Sequence, residues 1–275
     1  MELLLYIILF FLIYWGIRGA IKLFVIFRQI HKVKKQFDNL NKQWNGNNPF
    51  GDNAQGGFGF GIFIMMLLPF IMPSFAEATA LSGLLAIFTA LVPAVRMVRQ
   101  VPWRKLVPIL LTFIVVSFFA VILVKHIDSR ILKKVLGGVL IVISLYFFFL
   151  NGKFSLRPSI PIQLTMGGIS GIMGGLFAMQ GPPAVIYFVG CTDSKEEYMA
   201  ITQWYFLIGN TMMTIYRAGN GFVTSFVLES FCIGIAGVLI GLLAGASIFK
   251  RINAGHLRHL IYALMFVSGL VALFS

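Results

Sequence analysis

Three kinds of group in this sequence could hold a small anion. They are the guanidinium ions of Arg96 and Arg217, the amides of Gln180 and Asn210, and main chain released from helical bonding around Gly181, Pro182 and Pro183. A guanidinium offers a planar set of donors that matches an oxyanion. An amide adds a neutral donor. Two consecutive prolines remove two N–H groups, and their rings clash with carbonyls one turn back, which predicts a break with unpaired backbone groups. Structural readings stand beside each of these. Arginines at helix ends snorkel, an amide in hydrocarbon satisfies itself on a neighbouring helix, and a proline kink can serve packing alone.

The element that must position these groups runs from Met166 to Val189, MGGISGIMGGLFAMQGPPAVIYFV, with six glycines and two adjacent prolines in an apolar background. Gly167, Gly171 and Gly175 recur every fourth residue, and Gly174 pairs with Ala178 in the same way. One face therefore lacks side chains, and another helix can approach to backbone contact. Irregular backbone at membrane depth is tolerated where protein buries it or where it lines a cavity. Broken half-helices at a transporter's substrate site have this pattern. Gly174, Gly175, Gln180, Gly181, Pro182, Pro183, Asn210, Arg96 and Arg217 are the candidate binding residues of this half. Gly57, Gly59 and Gly61, in a second glycine-rich stretch, are their candidates in the other.

The composition demands a membrane. The chain has 275 residues, 59% hydrophobic and 11% charged, with a mean hydropathy of +0.90, whereas soluble domains carry about 25% charged residues. The net charge of +13 sits between apolar segments, as in membrane loops, so no nucleic acid is implied. Cys191 and Cys232 read as two free thiols, and His31, His126, His256 and His259 lie at loop edges as interfacial residues rather than metal ligands. Glu77 and Glu229 read as interface anchors. HExxH, GxSxG and Walker motifs are absent, which argues against an enzyme or a nucleotide-driven pump. No cofactor is expected. The expected partners are a small anionic substrate and the lipid bilayer, with a homo-oligomer left open.

Residues 1–27 read as a retained N-terminal transmembrane helix and 28–57 as a basic, then Gly/Asn-rich cytoplasmic linker. Apolar segments follow at 58–74, 78–96, 106–124, 131–151, 163–189, 198–217, 224–249 and 256–274. Offset by 125, KHIDSRILKKVL at Lys125 meets KRINAGHLRHLI at Lys250; near 121, Arg96 meets Arg217. The fold expected is therefore an all-α polytopic membrane protein: a duplicated four-helix unit, 58–151 and 163–274, behind an extra helix, with about 8–9 transmembrane segments and a broken helix in each repeat. About 27 residues at ~1.5 Å each can span the hydrocarbon, so 163–189 is read as one broken crossing rather than a dip and return. Loop charges then place the N-terminus outside, the C-terminus and Arg99 in the cytoplasm, and Lys195 outside.

GGISGIMGGLFAMQGPP, with ATALSGLLAIFTALVPAVRMVRQVPWRKLVP and KHIDSRILKKVLGGVLIVISLYFFF, resembles the sulfite exporter TauE/SafE family of membrane permeases over roughly 57–274. The resemblance implies transport of small sulfur-containing or carboxylate anions, such as sulfite or organosulfonates, across the cytoplasmic membrane. The family's first-repeat glycine block is matched only loosely, by Gly56, Gly57, Gly59 and Gly61. A non-transporting membrane scaffold or assembly factor and a passive anion channel are the alternative readings.

Overall fold

The computed structural model describes residues 59–150, 159–249 and 254–274. The expected N-terminal helix 1–27, the linker 28–57 and Gly57 lie outside the described residues. Within them the regular structure is helical: α1 (Gly59–Ile71), α2 (Phe75–Arg96), α3 (Trp103–Val124), α4 (Ser129–Leu150), α5 (Ile160–Phe177), α6 (Gly181–Cys191), α7 (Lys195–Gly219), α8 (Ser225–Phe249) and α9 (Ala254–Phe274), with a short 3-10 turn at Val98–Gln100. By length and composition α2, α3, most of α4, and α5 can each cross a membrane, and α1, α6 and parts of α8 and α9 are shorter apolar helices. The 25-residue α7 is not among these apolar helices, because Thr202, Gln203, Asn210, Thr211 and Arg217 break up its hydrophobic run.

Local chemistry sets the starts. Ser74 and Ser194 each accept the N–H of the glutamate three residues on, Glu77 and Glu197, both at 3.1 Å. A side-chain oxygen there satisfies one of the donors left open at a helix N-terminus. α5 ends in a left-handed cap of the αL type. The Ala178 N–H donates to Gly174 O at 2.9 Å and the Met179 N–H to Met173 O at 3.3 Å, with Ala178 left-handed at φ 57°. That conformation costs a non-glycine residue roughly 1–2 kcal/mol, so the surrounding packing must hold it.

The sequence placed the break at Gly181–Pro183; it occurs one step earlier, at Ala178–Gln180. Gly181, Pro182 and Pro183 are the first residues of α6. Prolines fit there because the first N–H groups of a helix have no intrahelical partner to lose. The chain also reverses. Gln163 near the start of α5 donates its Nε2–H to the hydroxyl of Tyr187 late in α6, and the Ser170 hydroxyl donates to Gln180 O. α5 and α6 are thus the two antiparallel arms of a helical hairpin, and the single broken crossing expected over 163–189 is corrected, because the chain turns back at Ala178–Gln180. The orientation changes with it. Lys105, at the start of α3, meets Asp193 at 3.1 Å and Glu197 at 2.8 Å, so Arg99 and Lys195 lie toward the same end of α3. The last turn of α9 packs on Gly137 near the start of α4, toward the end of α3 opposite to Arg99.

Glycine faces do the packing the spacing predicts. A Cβ on Gly167, Gly171 or Gly175 would stand 2.6, 3.1 and 2.9 Å from the carbonyl oxygens of Ile109, Phe113 and Ser117. Equal steps along both chains make α3 and α5 parallel neighbours at backbone contact. α2 and α7 run antiparallel: Gly83 faces Thr214 and Arg217, while Ala94 O accepts from Trp204 Nε1 at 2.7 Å. α4 and α9 are likewise antiparallel, with Gly137 against Gly269 and the Ser144 hydroxyl donating to Tyr262 O at 2.8 Å.

Candidate functional site

The hairpin tip lies against the inner half of α7. Gln180 precedes α6, is 3% exposed, and reaches Phe206 O through Nε2 at 3.5 Å. Its Oε1 is buried without a partner, and the amide packs against Gly209 near the midpoint of α7. Ser170 and Tyr205 hold the tip from beneath: their hydroxyls are 2.7 Å apart, and Ser170 also binds the Gln180 carbonyl. Gly181, Pro182 and Pro183 are all buried.

Arg217 is the centre of the arrangement, and its exposure is 0%. Helical side chains lean toward the N-terminus of their helix, so this arginine near the end of α7 points back toward the hairpin tip. Its Nη2 donates to Gly174 O at 2.8 Å and to Gly175 O at 3.3 Å, the C-terminal carbonyls of α5, where the helix dipole favours a cation. Nε and Nη1 are buried and have no hydrogen-bond partner. Arg217 has no carboxylate partner among the described residues, and the ion pairs of Lys105 lie at the far end of α7. An arginine buried without an acid costs several kcal/mol unless something else supplies the counter-charge. A charged group within a membrane-spanning bundle is for that reason a functional candidate.

The other expected site residues separate into groups. Gly174 and Gly175 supply carbonyls to Arg217 while their α-carbons pack on Phe113 and Met213, and on Ala120 and Ser117, respectively. Their role is to hold Arg217 and α3. Gly59 opens α1, and a Cβ on Gly61 would be 2.9 Å from Ala178 O, so the first turn of α1 meets the hairpin tip. Asn210 is buried but donates Nδ2–H to Phe206 O of its own helix at 2.8 Å, the self-satisfied reading. Arg96 ends α2. Thirteen residues of helix separate it from Gly83, beside which Arg217 lies, about 20 Å along the axis. The two guanidinium ions do not converge. Glu77 does more than anchor, since its carboxylate accepts the Thr224 hydroxyl at 2.8 Å across to the start of α8.

Sequence reading missed Gly83, Thr214, Tyr205 and Gly209. Thr214 was findable, because it precedes Arg217 by three residues on one helical face. Gly83 was not, since only the pairing of α2 with α7 gives it a neighbour. Among the described residues no three His, Cys, Asp or Glu side chains cluster as a metal site would require. The sulfite exporter TauE/SafE family model matches residues 53–272. No curated protein and no solved structure matches the chain.

Proposed function

Since the chain belongs to the sulfite exporter TauE/SafE family, a family of membrane permeases, we propose that it carries small anions, sulfite, organosulfonates or carboxylates, across the cytoplasmic membrane, binding them beside the α5–α6 hairpin tip. The observation that carries this reading is Arg217, wholly buried against the tip with two donors unused. An anion would neutralise it.

The architecture supports a carrier of two inverted units. Adding 125 to Gly137 and Ser144 gives Tyr262 and Gly269, so the contacts Gly137–Gly269 and Ser144–Tyr262 exchange with each other. Adding 121 to Gly83 and Ala94 gives Trp204 and Ile215, which exchanges the contacts at the two ends of the α2–α7 seam within a residue. Contacts that exchange in this way between antiparallel helices are those of a pseudo-two-fold axis lying across them. Inverted repeats of this kind place their substrate at the repeat interface, and transport by rocking one unit on the other. The Ser-x-x-Glu caps at Ser74 and Ser194 repeat at a similar offset.

The test is flux of labelled sulfite, methanesulfonate and acetate in proteoliposomes. Saturable uptake of at least one is the expected result. Uptake that rises linearly with concentration supports a channel, and silence with all three supports a scaffold.

A further inference from the structure

We infer that the α2–α7 seam at Gly83 is the subsite for the head of a singly charged oxyanion, held by the Thr214 hydroxyl together with Arg217. The inference rests on the permease reading and names the chemical class it selects. Gly83 is buried, and the atoms nearest its missing side chain are Thr214 Oγ1 and Arg217 Nη1, which a Cβ would meet at 2.9 and 3.2 Å. Both are buried without a hydrogen-bond partner, as is Arg217 Nε. Three polar atoms left unpaired together in a tightly packed seam are a cost that a ligand with several acceptor oxygens removes.

Charge sets the class. The ionic side chains described on α2, α5 and α7, other than Arg217, are Glu77, Arg96, Glu196 and Glu197, and all lie toward helix ends. One fixed positive charge in an apolar seam balances one negative charge; a dianion would bring a second, uncompensated charge into low dielectric. The donors are sealed, so a ligand reaches them only when α2 and α7 part, and its binding favours one arrangement of the seam over another. The place related by the offset of 121 is not a second copy. Trp204 stands where Gly83 would be, its indole donating to Ala94 O, so the described residues make no second such subsite there.

The test uses the full chain in proteoliposomes and in detergent, with methanesulfonate as the monoanion and sulfate as the dianion of similar oxygen geometry. Methanesulfonate is expected to compete for flux, and sulfate to need at least about tenfold more. Thr214→Val, which keeps shape and removes the hydroxyl, raises the half-saturating concentration about 10- to 100-fold with an unchanged melting temperature. Thr214→Ser recovers most of that loss, and Gly83→Ala, which fills the seam, abolishes binding. Equal competition by sulfate, or parental half-saturation in Thr214→Val, overturns the subsite. Should the parent carry none of sulfite, methanesulfonate and acetate, the permease reading fails, and thermal stabilisation by methanesulfonate decides the subsite alone: stabilised parent and unstabilised Thr214→Val sustain it, and no stabilisation of either removes it.

Discussion

At one end of the α2–α7 seam Gly83 lets the helices meet closely, and the Thr214 hydroxyl and the Arg217 guanidinium lie against its α-carbon with donors unused. At the other end, at positions the offset of 121 makes equivalent, the Trp204 indole donates to Ala94 O at 2.7 Å and packs edge-on against Trp103 at 5.2 Å. The two ends differ in side-chain volume and polarity. A glycine opposite an arginine stores unsatisfied polarity that a ligand can use. A tryptophan opposite a carbonyl spends its single donor on the protein.

The comparison breaks most readily at the arginines. Arg217→Gln removes both the counter-charge for an anion and the cap on Gly174 and Gly175, and flux should fall more than about 100-fold. Arg217→Lys keeps the charge and loses the planar donors, so the loss should be smaller. Arg96→Gln, at the end without a subsite, should stay within about threefold of the parent at equal protein in the liposomes. Equal losses for Arg96→Gln and Arg217→Gln would mean that the two ends do not differ as described.

A smaller effect sharpens the same contrast. Trp204→Phe removes the bond to Ala94 O while keeping most of the ring, which should lower stability by about 1 kcal/mol. The melting temperature in detergent should drop with no change in half-saturation. A shift in half-saturation without a shift in melting temperature would make Trp204 part of the binding region.

The smallest effects belong at the outer ends of these helices. Lys105, about one-third exposed, bridges Asp193 and Glu197, and Lys105→Met should cost less than about 1 kcal/mol, a cost that fades as salt is raised. Its counterpart, Glu77 with Thr224, is a single hydrogen bond, so Thr224→Val should cost a similar amount with little salt dependence. Melting curves at low and high salt separate the two.

How much of this was legible depends on the range of the interaction. Helix ends were read closely, with 106–124 expected against Trp103–Val124 and 256–274 against Ala254–Phe274, because apolar runs and their Gly, Pro and Ser boundaries are local. The glycine spacing predicted a close helix neighbour for 167–175, though not that it would be α3. The break was expected three residues late, because prolines that look like interruptions are also good first-turn residues and the turn itself sits on an alanine. Arg217 was singled out on its chemistry and on the repeat that pairs it with Arg96. Its partners were not, since Gly174 O lies 43 residues away.

What the sequence by itself determined is therefore the solvent, the helices, the family resemblance and the rarity of charge inside them: membrane insertion costs are summed residue by residue, and apolar runs admit few alternatives. What only the tertiary structure decided is direction and company. The reversal at Ala178–Gln180, which sends α7 back through the bundle from the side where α5 began, depends on contacts such as Gln163 with Tyr187 and Ser170 with the Gln180 carbonyl. The juxtaposition of Gly83 with Thr214 and Arg217 depends on two helices more than a hundred residues apart meeting antiparallel. No local periodicity carries either, because each is fixed by which surfaces pack best once all the helices are present.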